Sequence, residues 1–545
     1  MEGTHPAVEY RGVSKRYGEC AANRDVSLSV ARGTLHCVVG ENGAGKSTAL
    51  KMLFGLVRPD SGSLLLHGRP YAPASPMEAV AHGIGMVHQH FMLSETESGL
   101  DNVLLAVESV RPGGVPRAVR PLRRAGALAR LEILAREFGL EVDFLAPVHE
   151  LGVGEQQRLE ILKLLFLDAD VLVLDEPTAV LTPQEASSLF GTLKGLAARG
   201  KTVIVITHKL REVTAHADAI TVLRQGVTVA SRPMVDSDGR RLTEVDLATL
   251  MVGRAVELSL RSAPRVSHAP SETLLRLSEV SLLAPAGRKG ARPALSRVNL
   301  EVRAGEIVGV AGVEGNGQSD LLSLLASPSE RRDACLRAAR ALTPGVQPCL
   351  SILGRDGFTL DARDLRRLAW GFVPEDRIHQ ALLPGESVEE NYLLGRQHRP
   401  EFSRLRFLRR GALAAAARTG NEAFDVRPRD ISVAAGSLSG GNQQKLVLAR
   451  ELALSPRLLV CAQPTRGVDV GAIESIHRKL LAARNAGMGI LLVSSELDEI
   501  LSLSDRIVVF QGGAVAGEFD GPTADEGRIG LAMGGRAPQA SEASA

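Results

Sequence analysis

The feature that most constrains this 545-residue chain is that it is written twice. LGVGEQQRLEILKLLF at 151–166 recurs as LSGGNQQKLVLARELA at 438–453, and VLVLDEPTAVLT at 171–182 as LLVCAQPTRGVD at 458–469. VIVITHKLREV at 203–213 recurs as ILLVSSELDEI at 490–500. Leu151 and Leu438, Pro177 and Pro464, and His208 and Ser495 are each 287 positions apart. Nearer the start of each copy, GENGAGKST (40–48) recurs as GVEGNGQSD (312–320), 272 positions apart, and Gln89 aligns with Glu375. A constant separation over long spans marks a tandem duplication. The change in separation puts about fourteen extra residues into the second copy, expected within 327–350.

A chain of this length exceeds a single core. The copies assign domains to 1–258 and 273–535, closing on the similar phrases LMVGR (250–254) and LAMGG (531–535). Between them, SLRSAPRVSHAPSE (259–272) reads as a linker, and the small polar residues of 536–545 as a disordered tail. Within a copy, apolar runs such as LHCVVG, VLVLD and TVIVIT alternate with helical stretches. Continuous apolar strands between helices predict an α/β fold with a parallel sheet covered on both faces. The Arg- and Ala-rich stretches 120–140 and 404–418 predict helices of a small helical subdomain in each half. Their arginines read more simply as a solvated face than as a partner surface.

Charge narrows the function classes. Lys plus Arg is 64 against 62 Asp plus Glu, which provides no basic field for nucleic acid or acidic lipid. The five cysteines are scattered and form no CxxC pair, so buried reduced thiols are expected rather than disulfides or a zinc site. MEGTHPAVEYRG at the start has no apolar signal core, and no uncharged apolar run approaches the ~20 residues of a membrane helix.

GENGAGKST (Gly40, Glu41, Asn42, Gly43, Ala44, Gly45, Lys46, Ser47, Thr48) fits G-x-x-x-x-G-K-[ST] between a strand and a helix. Gly43 and Gly45 let backbone N–H groups wrap phosphates, and the following helix adds its positive end. Lys46 is placed to neutralise β/γ-phosphate charge, and Ser47 to ligate Mg²⁺. Asp175 ends an apolar strand, where it can hold the magnesium shell, and Glu176 beside it can polarise an attacking water. Gln89 and His208 follow other strands, one able to reach metal or water and the other a γ-phosphate. Tyr17 in KRYG can stack on adenine, although an isolated aromatic more often packs. His82, His88 and His90 crowd near Gln89 without the spacing of a metal site.

The order of phosphate loop, Gln89, an LSGGQ-like phrase, DEPT and His208, present twice, resembles the ATP-binding cassette ATPases over nearly the whole chain. The resemblance implies tandem RecA-like P-loop NTPase domains, each with a β-subdomain and an α-helical subdomain. It also implies ATP and Mg²⁺ as ligands and two head-to-tail composite sites. Each such site joins the Walker groups of one cassette to the signature loop of the other. The second copy's Walker set is stripped: Lys46 becomes Gln318, Asp175 and Glu176 become Ala462 and Gln463, and His208 becomes Ser495. Gly315, Gly317 and Ser319 survive. Its signature, LSGGNQQK, is nearly ideal, with Ser439, Gly440 and Gly441 facing a γ-phosphate, and Asp469 fills the turn after Pro-Thr. The first copy reverses this, with Gly152, Val153 and Glu155 spoiling its signature and Thr182 in the place of Asp469. Under head-to-tail pairing, one composite site is expected to turn over ATP and the other is degenerate.

Double cassettes of this kind resemble importer ATPases of the simple-sugar and nucleoside class. MVHQHFML, GEQQRLEILK, DEPTAVLTPQE and AQPTRGVDVGAIE point to the nucleoside branch; Gly152 and the lengthened 327–350 segment depart from it. The resemblance implies two integral-membrane permease subunits and, indirectly, a substrate-binding lipoprotein or periplasmic protein. It implies a peripheral place on the cytoplasmic face of the inner membrane and no nucleic acid. The alternatives are a simple-sugar importer, a flavin-like vitamin as cargo, and a soluble double-cassette factor acting on ribosomes or nucleic acid.

Overall fold

The structure is a computed structural model that describes residues 5–534 apart from Glu19, Asn42, 89–91, 111–123, 179–180, Thr182, His208, 254–271, 284–292, Glu314, 405–406 and Asp469. Nearly all of the segment read as a linker, and all of that read as a tail, lie outside the described residues. The chain divides into two compact units, Met1–Val256 and Glu257–Ala545.

In the first unit the apolar runs become one six-stranded sheet, in the order Val227–Pro233, Ala219–Arg224, Leu35–Gly40, Thr202–Ile206, Val171–Asp175, Ile84–Val87. Only Val227–Pro233 pairs antiparallel; the other five strands are parallel. Burial explains the difference. Val171, Leu172, Val173 and Leu174 are all fully buried, as a strand covered on both faces requires, whereas Val227–Pro233 is largely exposed. A second, antiparallel sheet runs Cys20–Val30, Val8–Tyr17, Ser61–Leu66, Arg69–Tyr71. Val8, Tyr10 and Val26 from this sheet share a core with Leu50 and Leu53 of the helix Lys46–Leu53 and with Val173 and Ile204. The helices Gly99–Val110, Arg124–Phe138 and Val153–Phe166 form the helical part.

The second unit repeats this sheet in the same order: Ala514–Asp520, Arg506–Gln511, Ile307–Ala311, Gly489–Val493, Leu458–Ala462, Trp370–Val373. Its antiparallel sheet runs Leu295–Arg303, Thr273–Leu282, Cys349–Ile352, Arg355–Asp356. The extra residues of the second copy form a helix, Pro328–Leu342, which anchors itself by burying Cys335, Ala338 and Ala339.

Two expectations are corrected. The helix expected from residue 404 begins at Arg410, because Ser403–Arg404 and Phe407–Leu408 pair as a short antiparallel ribbon. Its counterpart spans Arg124–Phe138, and 120–123 lie outside the described residues. The cysteines are all free, but only Cys37, Cys335 and Cys461 are buried; Cys20 and Cys349 are exposed. Among the described residues no helix is long and apolar enough to cross a membrane.

Parallel strands place their C-terminal ends along one sheet edge, and ligands of open α/β sheets bind there. In the first unit Gly40, Val87, Asp175 and Ile206 all end strands on that edge.

Candidate nucleotide sites

The strand Leu35–Gly40 delivers the chain into a turn that demands glycine. Gly43 and Gly45 have φ of 80° and 94°, a region that side chains disfavour. A Cβ on Gly45 would also lie 2.4 Å from the Ala22 carbonyl oxygen and 2.5 Å from Asn23 Nδ2. Gly45 caps the helix Lys46–Leu53, whose first N–H groups have no partner within the helix. The buried Lys46 Nζ donates to the Gly40 carbonyl at 2.7 Å and the Glu41 carbonyl at 2.9 Å. Burial lowers its pKa, against the opposing pull of Glu176, Asp175 and Glu41. Asn23 Nδ2 donates to the Gly45 carbonyl at 3.2 Å and braces the loop.

Asp175 ends its strand partly buried. Burial raises its pKa, the like charge of Glu176 raises it further, and a hydrogen bond with Ser47 and the charge of Lys46 oppose the rise. Glu176 next in line adopts φ 48°, left-handed backbone rare for a residue with a side chain. Its N–H donates to the Ile206 carbonyl at 2.9 Å, which holds that conformation. The turn beyond is tied down three times. Gln157 Nε2 donates to the Pro177 carbonyl at 2.5 Å, Lys209 Nζ to the Thr178 carbonyl at 2.9 Å, and Thr178 Oγ1 to Glu212 Oε2 at 2.9 Å. Tyr17 is 48% exposed at the end of its strand, with Lys15 Nζ 5.9 Å from the ring centroid. Asn42, Gln89, His90 and His208 lie outside the described residues. His82 Nδ1 meets the Glu78 carbonyl and His88 lies edge-on to Phe54, so each is engaged locally.

The second unit keeps the backbone and changes the groups on it. Gly315 and Gly317 have φ of 89° and 106° and lead into the helix Gln318–Ala326. Gln318 Nε2 folds back to the Val313 carbonyl at 3.3 Å. Ser319 Oγ donates to Glu375 Oε2 at 2.8 Å, and Arg466 Nη1 lies 4.0 Å from Glu375 Oε1. Ala462 is fully buried at the strand end. Gln463 has φ 46°, and its N–H donates to the Val493 carbonyl at 2.7 Å. Gln463 Oε1 accepts from the Ser495 N–H at 3.2 Å and Ser495 Oγ at 3.1 Å. The residues standing for Glu176 and His208 therefore satisfy each other.

The two signature phrases begin their helices differently. Ser439 precedes the helix Gly440–Leu452, and its Oγ accepts from Asn442 Nδ2 at 2.9 Å. Gly152 precedes the helix Val153–Phe166, and its N–H donates to Glu155 Oε2 at 2.9 Å. A carboxylate thus sits at that helix start, where the backbone's positive end attracts anions. Asp469 and Thr182 lie outside the described residues. Sequence reasoning missed Asn23, which no motif flags. It also missed Arg466, legible as a new charge where the first copy has Ala179.

A glycine loop cradling a buried lysine, a serine beside a strand-end aspartate and a doubly covered parallel sheet define a P-loop nucleotide-binding fold in the first unit, and the second repeats its sheet and loop backbone without the lysine and the aspartate. The family model described as ABC transporter matches residues 23–179 and 295–466. The chain belongs to that family, whose ATP-binding members hydrolyse ATP for transport. It is 43% identical to the glucose import ATP-binding protein TsgD13 of Haloferax volcanii, over 97% of this chain and 96% of that protein. It is 39% identical to the nucleoside import ATP-binding protein NupA of Lactococcus lactis, over 96% and 97%. It is 38% identical to the guanosine import ATP-binding protein NupO of Bacillus subtilis, over 97% of each. The archaeal ribosome recycling factor aABCE1, solved with the stalk protein aP1, matches 92% of this chain and 88% of that chain with TM-score 0.54. At 18% identity it shares the fold alone.

Proposed function

We propose that this chain is the ATPase of an importer that takes up nucleosides through two integral-membrane permease subunits. A substrate-binding lipoprotein or periplasmic protein supplies the cargo, and the ATPase sits on the cytoplasmic face of the inner membrane. The observation that carries the mechanism is the sorting of chemistry between the copies. Lys46, Ser47, Asp175 and Glu176 stand together in the first, and the intact signature Ser439–Gly441 stands in the second. Head-to-tail pairing unites them, with Gln89, His208 and Asp469, in one working site. The other site joins Gln318, Ala462, Gln463 and Ser495 to a signature whose helix start Glu155 already occupies.

In the working site Lys46 neutralises phosphate charge and the loop N–H groups wrap it. Ser47 and Asp175, with Gln89, would hold Mg²⁺, which supplies positive charge to the phosphates. The donor set fits: a hydroxyl and a carboxylate are the oxygen ligands that ion takes. Glu176 polarises the attacking water, and His208 contacts the γ-phosphate. Closure of the two halves on ATP moves the surface near Gln89 and Glu375, which grips the permease; phosphate loss releases it.

The nucleoside reading is supported by relatives named for nucleoside and guanosine import, and by the phrases MVHQHFML and AQPTRGVDVGAIE. The glucose import relative favours simple sugar as the second reading. The near-balanced charge, the short linker and the stripped second Walker set weigh against a ribosome or nucleic-acid factor. Uptake into vesicles carrying the cognate permease and binding protein tests this. Labelled nucleoside should accumulate only with ATP and stop in Glu176→Gln, whereas accumulation of glucose alone moves the assignment to sugar. ATP hydrolysis stimulated by ribosomes, with no response to the permease, overturns it.

A further inference from the structure

We propose that the helical part of the second unit holds a small inorganic anion of the chloride type, bound by Arg396 together with Asn421 and Tyr392. The site involves neither nucleotide loop and does not rest on the transport reading. It belongs to the helices Val388–Leu393 and Arg410–Ala423, which pack on each other. Comparison of the copies isolates its residues. Asn102 and Asn391 make the same bonds, each giving Nδ2 to the carbonyl eight residues upstream and accepting at Oδ1 from that residue's N–H. On that alignment Tyr392 and Arg396 stand where the first copy has Val103 and Val107. The Val426 N–H reaches the Asn421 carbonyl as the Leu140 N–H reaches that of Ala135, both at 2.8 Å, so Asn421 stands for Ala135. Apolar positions have become polar, yet they stay buried: Tyr392, Arg396 and Asn421 are 0%, 2% and 1% exposed. A core that gains polar groups loses stability unless each finds a partner.

Here they find too few. Arg396 Nε and Nη2, Tyr392 Oη and both side-chain polar atoms of Asn421 have no hydrogen-bond partner among the described residues. The guanidinium lies 5.1 Å from the Tyr392 ring centroid, a stacking that covers its face and leaves those N–H groups unmet. Tyr392 Oη abuts Gly420, with no room for a Cβ between them, which puts the phenol beside Asn421. The carboxylate whose field reaches Arg396 is already spent: Glu451 Oε2 accepts from Arg366 Nη1 at 2.8 Å and Oε1 from Arg450 Nε at 3.0 Å. Arg366 also packs against Gly395, next to Arg396. Three arginines thus stand round one acid, a surplus of buried positive charge. Burial lowers the Arg396 pKa to about 10, with Tyr392 and Glu451 opposing the fall and Arg450 adding to it, so the side chain is still a cation at neutral pH. The unmet groups are mostly donors. A water would accept from some of them and bring hydrogens of its own; a monatomic anion accepts from all and offsets the charge. A ligand enclosed by side chains this deeply buried is small, which favours chloride over an oxyanion.

The plain alternative is an ordered water, or stacking on Tyr392 and nothing else. Crystals of the full chain soaked in bromide separate these: an anomalous peak should lie beside the Arg396 guanidinium, where a water gives none. In solution, urea unfolding at constant ionic strength is compared in sodium chloride and in sodium gluconate, whose anion is too large to enter. Chloride should raise the parent's midpoint, and well above half-saturation each tenfold rise in chloride should lower the unfolding constant about tenfold. Arg396→Met, which restores the apolar character of Val107 in the first copy, should abolish that dependence. In gluconate the variant should unfold at a urea concentration equal to or above the parent's, because an unpaired buried cation has gone. No bromide peak at Arg396, a parent midpoint indifferent to chloride, or a variant as chloride-dependent as its parent overturns the proposal. If Arg396→Met fails to fold, the bromide peak and the parent's chloride dependence decide alone.

Discussion

Glu176→Gln tests the chemistry with little disturbance of the fold, because the second copy already carries that change. Gln463 and Glu176 share the left-handed backbone, at φ 46° and 48°. Their N–H groups reach the Val493 and Ile206 carbonyls at 2.7 and 2.9 Å. Glutamine is therefore demonstrably accommodated by this turn, and the strain is common to both states. Removing the negative charge also relieves Asp175, whose carboxyl Glu176 pushes up. The expected stability change is within about 0.5 kcal/mol, read as an unchanged midpoint in urea. Activity should behave differently. Loss of a group acting as general base removes about 10²–10⁴ in rate, or roughly 3–5 kcal/mol of transition-state stabilisation. The assay is phosphate release at saturating ATP, beside ATP binding by equilibrium dialysis. Turnover within about tenfold of the parent, with binding intact, would refute the assignment of Glu176, since the water would then be activated elsewhere.

Further outcomes follow from the same geometry. Asp175 has its carboxyl pushed up first by burial and then by Glu176, so its charged form destabilises the folded chain as pH rises from the unfolded value through the raised one. Asp175→Asn should therefore raise the urea midpoint at pH 7 in the absence of nucleotide. That gain should shrink as pH falls through the raised value and vanish below about 4. Gly45→Ala should abolish ATP binding at the first loop, because the new Cβ meets Ala22 and Asn23 at 2.4 and 2.5 Å while holding φ 94°, a strain of about 1–3 kcal/mol. In the helix Arg410–Ala423, Gly420→Ala would ordinarily gain about 1 kcal/mol. Here its Cβ would fall 1.5 Å from Tyr392 Oη, so the second unit should lose about 1–3 kcal/mol, read by urea unfolding.

What was legible in the sequence was whatever the backbone alone decides. The apolar runs place Gly40, Asp175 and Ile206 on one sheet edge, and the phosphate-loop glycines take the left-handed conformations their motif demands. Side-chain rewiring was not legible. Nothing in periodicity says that Ser319 bonds Glu375, that Gln463 accepts from Ser495, or that Glu155 folds back on Gly152. Each depends on groups brought together by tertiary packing or by a local rotamer. The helical reading of 404–418 does not separate helix from the pairing of Ser403–Arg404 with Phe407–Leu408, because arginine and leucine suit both states and cross-strand pairing decides between them. The helix Pro328–Leu342 was visible only as excess length, although its proline start and its buried Cys335 and alanines match an amphipathic helix.

Carrying both units on one polypeptide has a consequence for inheritance. Were they encoded as separate subunits associating at random, only half of the pairs would unite unlike partners; the rest would match front with front or rear with rear. On the proposed head-to-tail pairing, none of those like pairs would assemble a complete working centre. Fusion fixes the stoichiometry in every molecule, so on that pairing each unit could shed what its neighbour supplies without producing a population of idle dimers. The same tether makes the losses hard to reverse, since neither unit retains the full inventory to serve alone.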